Sequence, residues 1–537
     1  MNKTILAAIA LAIPSILSAQ SAIDAFTLSQ TETRGTARFM SMGGAFTALG
    51  GDLSTLTQNP AGIGVYRRSE IGATLDISPR SVSARTASHN VSTSSTTVSC
   101  NNFGYVGTVN LGGTLETFSW GASYNRAASF NRRFTAYQKG TGTSLTNYVA
   151  DYSTAIGYPP SMLEFGQGNY NNYDPYIDSD ADWLSILSYN SFMINPTAGG
   201  GYSGLYQNGS FADYQAEVHE SGYVDEYAID FGGNISNKLM WGIGFGITDL
   251  QYHRSSYYSE GIDDALICTT NGGMTTGQAQ FWLDNFKTVS GTGFNLKLGL
   301  IFKPINEFRV GVAFHTPTWY TLTSNGYGEV DYNYYDPNNP DNRTNVLSGN
   351  EYTDNSFYNF RLTSPWKFMA GAAFVLGSTA IISADYEYQA YDKIRVSYQD
   401  RFGVYISDDY VKQDVEDYYR AANIVRVGAE VRLTSSFSVR AGYSYTSATA
   451  SNYMLGGAEV VTDSFSTDPS YTMNRSQNSV SVGLGYRYKA FYIDGAYIYR
   501  NKKSVYKPYT DYGAVLTPRA DLTENINSIV LSAGFRF

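Results

Sequence analysis

Side-chain alternation constrains this chain most. Near the end, Ile529, Leu531, Ala533, Phe535 and Phe537 alternate with Ser528, Val530, Ser532, Gly534 and Arg536. Period two makes a strand with one apolar face. The pattern recurs from residue 69 onward, for example at Ile71 to Ile77, Phe103 to Leu111, Phe118 to Tyr124 and Tyr227 to Phe231. It continues at Leu239 to Ile247, Phe294 to Phe302, Phe308 to Phe314, Phe368 to Phe374 and Ala380 to Tyr388. Val425 to Leu433, Phe437 to Tyr445, Val480 to Tyr488 and Phe491 to Tyr499 complete fourteen series with the terminal one.

The links between series alternate in length. Those at 112–114, 236–238, 304–306, 377–378, 434–436 and 489–490 are short; those at 79–100, 136–222, 253–290, 321–356, 392–422, 446–477 and 501–525 are long. Tight turns at one end and long loops at the other are the habit of a transmembrane barrel. Lys297, Asp385, Glu387, Arg426, Glu430, Arg432, Arg440, Arg487, Asp494, Arg500 and Arg536 all fall opposite the apolar face. On a lipid midplane an Arg or Lys would cost about 2–4 kcal/mol, so these residues belong to a wet lumen. The expected fold is all-β: a 14-stranded antiparallel transmembrane β-barrel. Charged residues are only 16% of the chain, with Tyr 46 and Phe 28, against roughly 25% charge in soluble domains.

A net charge of −10 argues against nucleic acid, which demands clustered cations. Cys100 and Cys268 form no CxxC; a disulfide and two free thiols both remain open. Lys3, the apolar run Ile5 to Leu17 and Ser18-Ala19-Gln20 read as a signal peptide over 1–19. Phe368 to Ala384 lacks charge but turns at Gly377-Ser378-Thr379, so it reads as two strands rather than a helix.

Residues 20–68 do not alternate. They carry Ala37-Arg38, Met42-Gly43-Gly44-Ala45-Phe46, Asp52, and Gln58-Asn59-Pro60-Ala61-Gly62, with Asp52 and Ser54 placed to cap a turn over Leu53 to Thr57. This segment, followed by fourteen strands and a terminal Phe, resembles the outer-membrane long-chain fatty-acid and aromatic-hydrocarbon transporter (FadL) family. The resemblance implies a hatch at 20–68 folded inside a barrel of 69–537, with long extracellular loops, notably 136–222. It implies the outer membrane of a Gram-negative bacterium as the location. Lipid, lipopolysaccharide and the barrel assembly machinery, which would read the Phe537 strand, are the implied partners. Asn59, Pro60, Ala61 and Gly62 would gate, and Phe39, Met40, Met42 and Phe46 would line the ligand pocket. A kink at Ala127, Ala128 and Ser129 of the third strand would release ligand sideways.

No catalytic motif is evident, and no cofactor is expected. Of His89, His219, His253 and His315, only His315 falls on a lumen register; a haemin receptor is one alternative, and a surface interaction or adhesion barrel another. Asp178, Asp180 and Asp182 lack the Gly and Glu of a calcium loop, and they read, like 336–342, as solvated acid. Loop pieces Leu145 to Ile156 and Trp183 to Tyr189 look helical, and with Phe281 to Phe286 they offer aromatic surface for a ligand or for loop packing. The expected function is passive uptake of a hydrophobic small molecule.

Overall fold

The computed structural model describes residues 21–166, 173–269, 272–335, 347–377, 379–399, 403–512 and 517–537. The signal peptide and the acidic stretch 336–342 lie outside the described residues.

Fourteen antiparallel strands close into one barrel. They are β1 (Glu70–Arg85), β2 (Asn90–Asn110), β3 (Leu115–Ser129, resuming as Arg132–Lys139) and β4 (Phe211–Ile235). Then come β5 (Leu239–Cys268), β6 (Met274–Phe302) and β7 (Phe308–His315, resuming as Trp319–Tyr335). The stave β8 is assembled from Leu347–Tyr352, Ser356–Thr363 and Lys367–Leu376; β9 is Ala380–Gln389, resuming as Arg395–Gln399. Last are β10 (Ala422–Arg432), β11 (Phe437–Thr446), β12 (Tyr471–Tyr488), β13 (Phe491–Lys507) and β14 (Ala520–Arg536). β14 closes on β1 from Glu70↔Arg536 to Arg85↔Asp521. All fourteen alternating series lie on these strands. No helix among the described residues is long and apolar enough to cross a membrane; the chain crosses with strands.

Near the short turns the barrel is inside-out. On β1, Ile71, Leu75 and Ile77 face outward and exposed, while Glu70, Thr74, Asp76 and Ser78 are buried inward. Tyr227, Ile229 and Phe231 on β4, Ile243, Phe245 and Ile247 on β5, and Phe294, Leu298, Leu300 and Phe302 on β6 extend this apolar belt. Farther along the same strands the chemistry reverses without a change of face. Ala212, Tyr214, Ala216 and Val218 of β4 point inward and are buried, whereas Asp213, Gln215 and His219 look outward. Lipid rewards apolar outward residues, and water rewards apolar inward ones. The reversal therefore marks where the barrel leaves the membrane.

This corrects the reading of the long links as loops. Much of 79–100, 211–222, 253–290 and 321–335 is strand that carries the barrel wall out beyond the belt. There the outward face is polar, so the apolar-out period that identified the spanning strands is missing. The helices Leu145–Ile156 and Trp183–Asn190 fold into this extension. Their Leu145, Val149, Ile186 and Leu187 pack against Phe134, Tyr214, Phe281 and Tyr334 of the wall. The loop aromatics mostly build this cap: Phe281 and Leu283 are buried, and Phe286 is left exposed.

Candidate functional site

Residues 21–66 are packed inside the barrel, and Arg67 and Arg68 emerge at the short-turn end. Ser21 caps the helix Ala22–Leu28, its Oγ accepting from Asp24 N at 3.2 Å. Phe26 of that helix stacks on Tyr419 at 4.1 Å and tilts against Tyr391 at 5.0 Å. A second helix, Ala37–Ser41, is capped by Thr36, which donates in turn to Asp52 Oδ1 at 2.8 Å. Asp52 also accepts from Ser54 N at 3.0 Å, just ahead of the helix Thr55–Gln58. The helix stops at Asn59, whose Oδ1 caps the 3-10 turn Pro60–Val65 and whose Nδ2 donates to the Thr47 carbonyl at 2.6 Å.

The wall receives this segment on glycines. A methyl placed at Gly242 of β5 would overlap the Pro60 carbonyl, and one at Gly299 of β6 would overlap Asn59 Oδ1. Methyls at Gly311 of β7, Gly428 of β10 and Gly442 of β11 would run into the backbone of 42–48. Asn59, Pro60, Ala61 and Gly62 are thus buried against bare wall. Met40, Met42 and Phe46 sit in a sealed apolar cluster with Ala373, Ile498 and Val530. Of the four residues expected to line a ligand pocket, Phe39 also borders a cavity.

That cavity, about 300 Å³, lies between the first helix and Thr57–Gln58. Ile23, Phe26 and Thr27 line one side; Asn125, Ala127, Ala128, Ser129 and Phe130 of β3 line another. Cations dominate its charged lining. Arg126 pairs with Asp225 at 2.6 Å, Arg132 with Glu220 at 2.6 Å and Arg426 with Glu387 at 2.6 Å. Among the described residues Lys367, Arg475 and Lys502 line it without any ion pair, Lys367 donating to Thr31 Oγ1 at 2.7 Å.

Beside the cavity the wall is interrupted. β2 pairs with β3 only from Asn102↔Asn125 to Asn110↔Thr117. Beyond that point 90–101 of β2 pairs with β1 alone, and Arg132–Lys139 of β3 pairs with β4 alone. Each edge carries a register shift, at Asn101 in β2 and at Ala127 in β3. Bulges bend strands and end pairing. The inner segment fills the breach: Glu32 N donates to the Ala127 carbonyl at 2.8 Å. Arg34 reaches Asn101 Oδ1 at 3.0 Å and Asp76 at 3.3 Å. The expected kink residues therefore border this gap. Glu32 and Arg34 were missed, because nothing in their spacing marks them; Ser21-x-x-Asp24 was a readable cap for the missed first helix.

Other candidates scatter. His315 is buried with Nε2 2.9 Å from the Gln58 carbonyl, and no metal-holding group of His, Cys, Asp and Glu occurs among the described residues. Cys100 and Cys268 are free thiols. Asp182 accepts from Tyr158 at 2.7 Å and leads into the helix Trp183–Asn190. In the cap, well beyond the belt, Glu260 accepts from Leu145 N at 2.9 Å and from the Ser144 and Tyr258 hydroxyls. Burial pushes its carboxyl up to about 7, against those three donors.

No protein-family profile and no curated protein matches the sequence. Solved structures do resemble the fold. A Pseudomonas aeruginosa FadL homologue superposes with a TM-score of 0.51 at 13% identity, over 94% of this chain and 99% of that one. The Pseudomonas putida toluene transporter TodX gives 0.46 at 13% identity, over 94% and 99%. The monoaromatic hydrocarbon channel CymD gives 0.43 at 14%, over 94% and 97%. The chain shares its barrel architecture with the first of these.

Proposed function

We propose that this chain is an outer-membrane transporter of the FadL type, importing a hydrophobic small molecule without an energy source. On this reading 20–68 is the hatch, and the ligand leaves sideways between β2 and β3. One observation carries the proposal: the cavity abuts a wall gap that the inner segment closes, by the Glu32-to-Ala127 backbone hydrogen bond on one edge and by Arg34 to Asn101 and Asp76 on the other. Breaking those contacts joins cavity to bilayer. Asn59 to Gly62, seated on glycines, serve as the anchor about which the upstream part moves.

Of the two ligand classes, an amphiphile with an anionic head, such as a long-chain fatty acid, suits the lining better than a bare hydrocarbon. Lys367, Lys502 and Arg475 form no ion pair among the described residues, the neighbouring Glu387 and Glu524 being paired to Arg426 and Arg80, and a buried carboxylate gains most from such charge-assisted bonds. Burial of the tail at about 25 cal/mol per Å² drives capture.

A reversible lock tests the movement. Cys100 and Cys268 are first replaced by Ser, and Glu32→Cys and Ala127→Cys are then introduced. The bonded backbones bring these residues within disulfide reach. Uptake of labelled oleate by cells should fall at least tenfold on oxidation and return with reductant. Equal uptake by the oxidised and reduced forms would remove the lateral path.

A further inference from the structure

A second concavity, about 450 Å³, opens at the short-turn end, on the other side of the inner segment from the cavity above. Its lining includes seven cations: Arg38, Arg67, Arg68, Arg309, Arg487, Lys489 and Arg536. Among the described residues no carboxylate lines it. The chain as a whole carries 47 acidic and 37 basic residues, so such a gathering runs against its own composition. Only two of the seven are ion-paired among the described residues: Arg38 with Glu430 at 2.8 Å and Arg536 with Glu70 at 2.6 Å. Arg67 bonds to the neutral Asn237. Arg309 gives Nη1 to the Leu49 carbonyl at 2.9 Å, and its Nε is buried with no partner.

Like charges face one another across the mouth. Arg38 and Arg67 act on Arg309; Arg536, Arg38 and Arg432 act on Arg487, outnumbering the opposing Asp494, which is itself bound to Arg440. Repulsion of this kind is relieved by a counter-charge, and a concave low-dielectric wall focuses the field on it. The surrounding lipid is poorly placed to supply that charge. Val310 and Tyr486 face outward on β7 and β12 and are exposed. Arg309 and Arg487 stand one residue off these, on the lumen register.

We infer that the short-turn mouth binds a multiply charged oxyanion, a phosphate ester or polycarboxylate entering along the barrel axis. The guanidinium groups of Arg309 and Arg487 would fork onto its oxygens, with Lys489 as a point charge. This site is separate from the cavity under the first helix, and it stands whether or not that cavity transports anything.

The test uses the full barrel in phosphatidylcholine nanodiscs, titrated calorimetrically with inorganic pyrophosphate. Saturable 1:1 binding is expected, weakened at least tenfold in the triple variant Arg309→Gln, Arg487→Gln, Lys489→Gln. The variant Arg133→Gln, Lys139→Gln, altered at the far end, should bind like the parent. Heat-modifiable gel migration verifies that each barrel is folded. Loss of pyrophosphate binding in phosphatidylglycerol nanodiscs would overturn entry along the axis, because a lipid phosphate would then hold the site; retained binding supports a free solute. No saturable binding in phosphatidylcholine, or equal affinity in the triple variant, would overturn the inference.

Discussion

The glycine-seated anchor makes a sharp prediction through Gly242→Ala. A Cβ at this position would stand 2.5 Å from Ala61 N and closer still to the Pro60 carbonyl. Ordinary contact distances are about 3.5–4.0 Å, so one backbone must retreat by roughly 1 Å. The wall is the stiffer partner, because Gly242 is laddered to Gly232 on β4 and Gly299 on β6. The turn at 60–65 must therefore lift. Overpacking a tight site costs about 1–3 kcal/mol, and the Asn59 bond to Thr47, 2.6 Å long, is strained with it. At about 1.4 kcal/mol per decade, the fraction of undocked segment rises roughly fivefold to a hundredfold. Single-channel recording in planar bilayers should show more frequent ion-conducting openings, and hydrogen exchange over 55–65 should quicken by the same factor. Gly261→Ala is the control, since its Cβ would meet nothing within 4 Å. If both variants conduct and exchange alike, the close approach at Gly242 does not hold the segment.

Two further predictions concern charge. Arg440→Met should destabilise the barrel by about 3–5 kcal/mol, read as a lower guanidinium midpoint in detergent. Arg440 bridges Glu430 at 2.7 Å and Asp494 at 2.6 Å within the lumen, and Asp494 would lose its only ion-pair partner among the described residues. In the cap, the folded Glu260 titrates near 7 instead of 4.5. Between those values the folded cap holds a proton that the unfolded chain has released, so stability falls as pH rises from 4.5 through 7. The loss approaches about 3 kcal/mol. Protection factors of 145–156, taken against the intrinsic exchange rate at each pH, should fall between pH 5 and pH 8 in the parent and stay constant in Glu260→Gln; constant protection in the parent would refute the assignment.

The spanning strands were legible because lipid writes one rule on every stave: apolar out at every second residue. Ile243, Phe245 and Ile247 obey it openly. The extensions above the belt were not legible, because the rule lapses there. Val91 to Ser99 of β2 is a run of Ser and Thr wet on both faces, which reads as loop in sequence and as strand only once β1 offers a partner. The helix Leu145–Ile156 was readable to its ends because Ser144 and Gly157 punctuate it. The inner segment was half legible. Asn59-Pro60 announced a turn, but the seats that receive it are glycines on five different strands, and no sequence pattern joins Gly242 to Gly428. Met42 and Phe46 looked like pocket residues for a related reason: an apolar side chain does not declare whether it faces a void or a wall.

The two halves of the inner segment are held by forces of different range, and this decides which half can move. From 42 to 65 the backbone touches the wall at glycines, and such contacts collapse steeply with the first ångström of displacement. From 29 to 34 the holds are polar: Glu32 to Ala127, Arg34 to Asn101, Lys367 to Thr31. All three border a cavity where water can take either partner's place and a ligand carboxylate can replace the acceptors, so separation there exchanges bonds instead of losing them. On the proposed function, an anionic ligand arriving at Lys367 would compete directly with Thr31, one residue from the bond that closes the gap. Ligand capture and wall opening would then be linked by adjacency along the chain, with Asn59 to Gly62 remaining docked throughout.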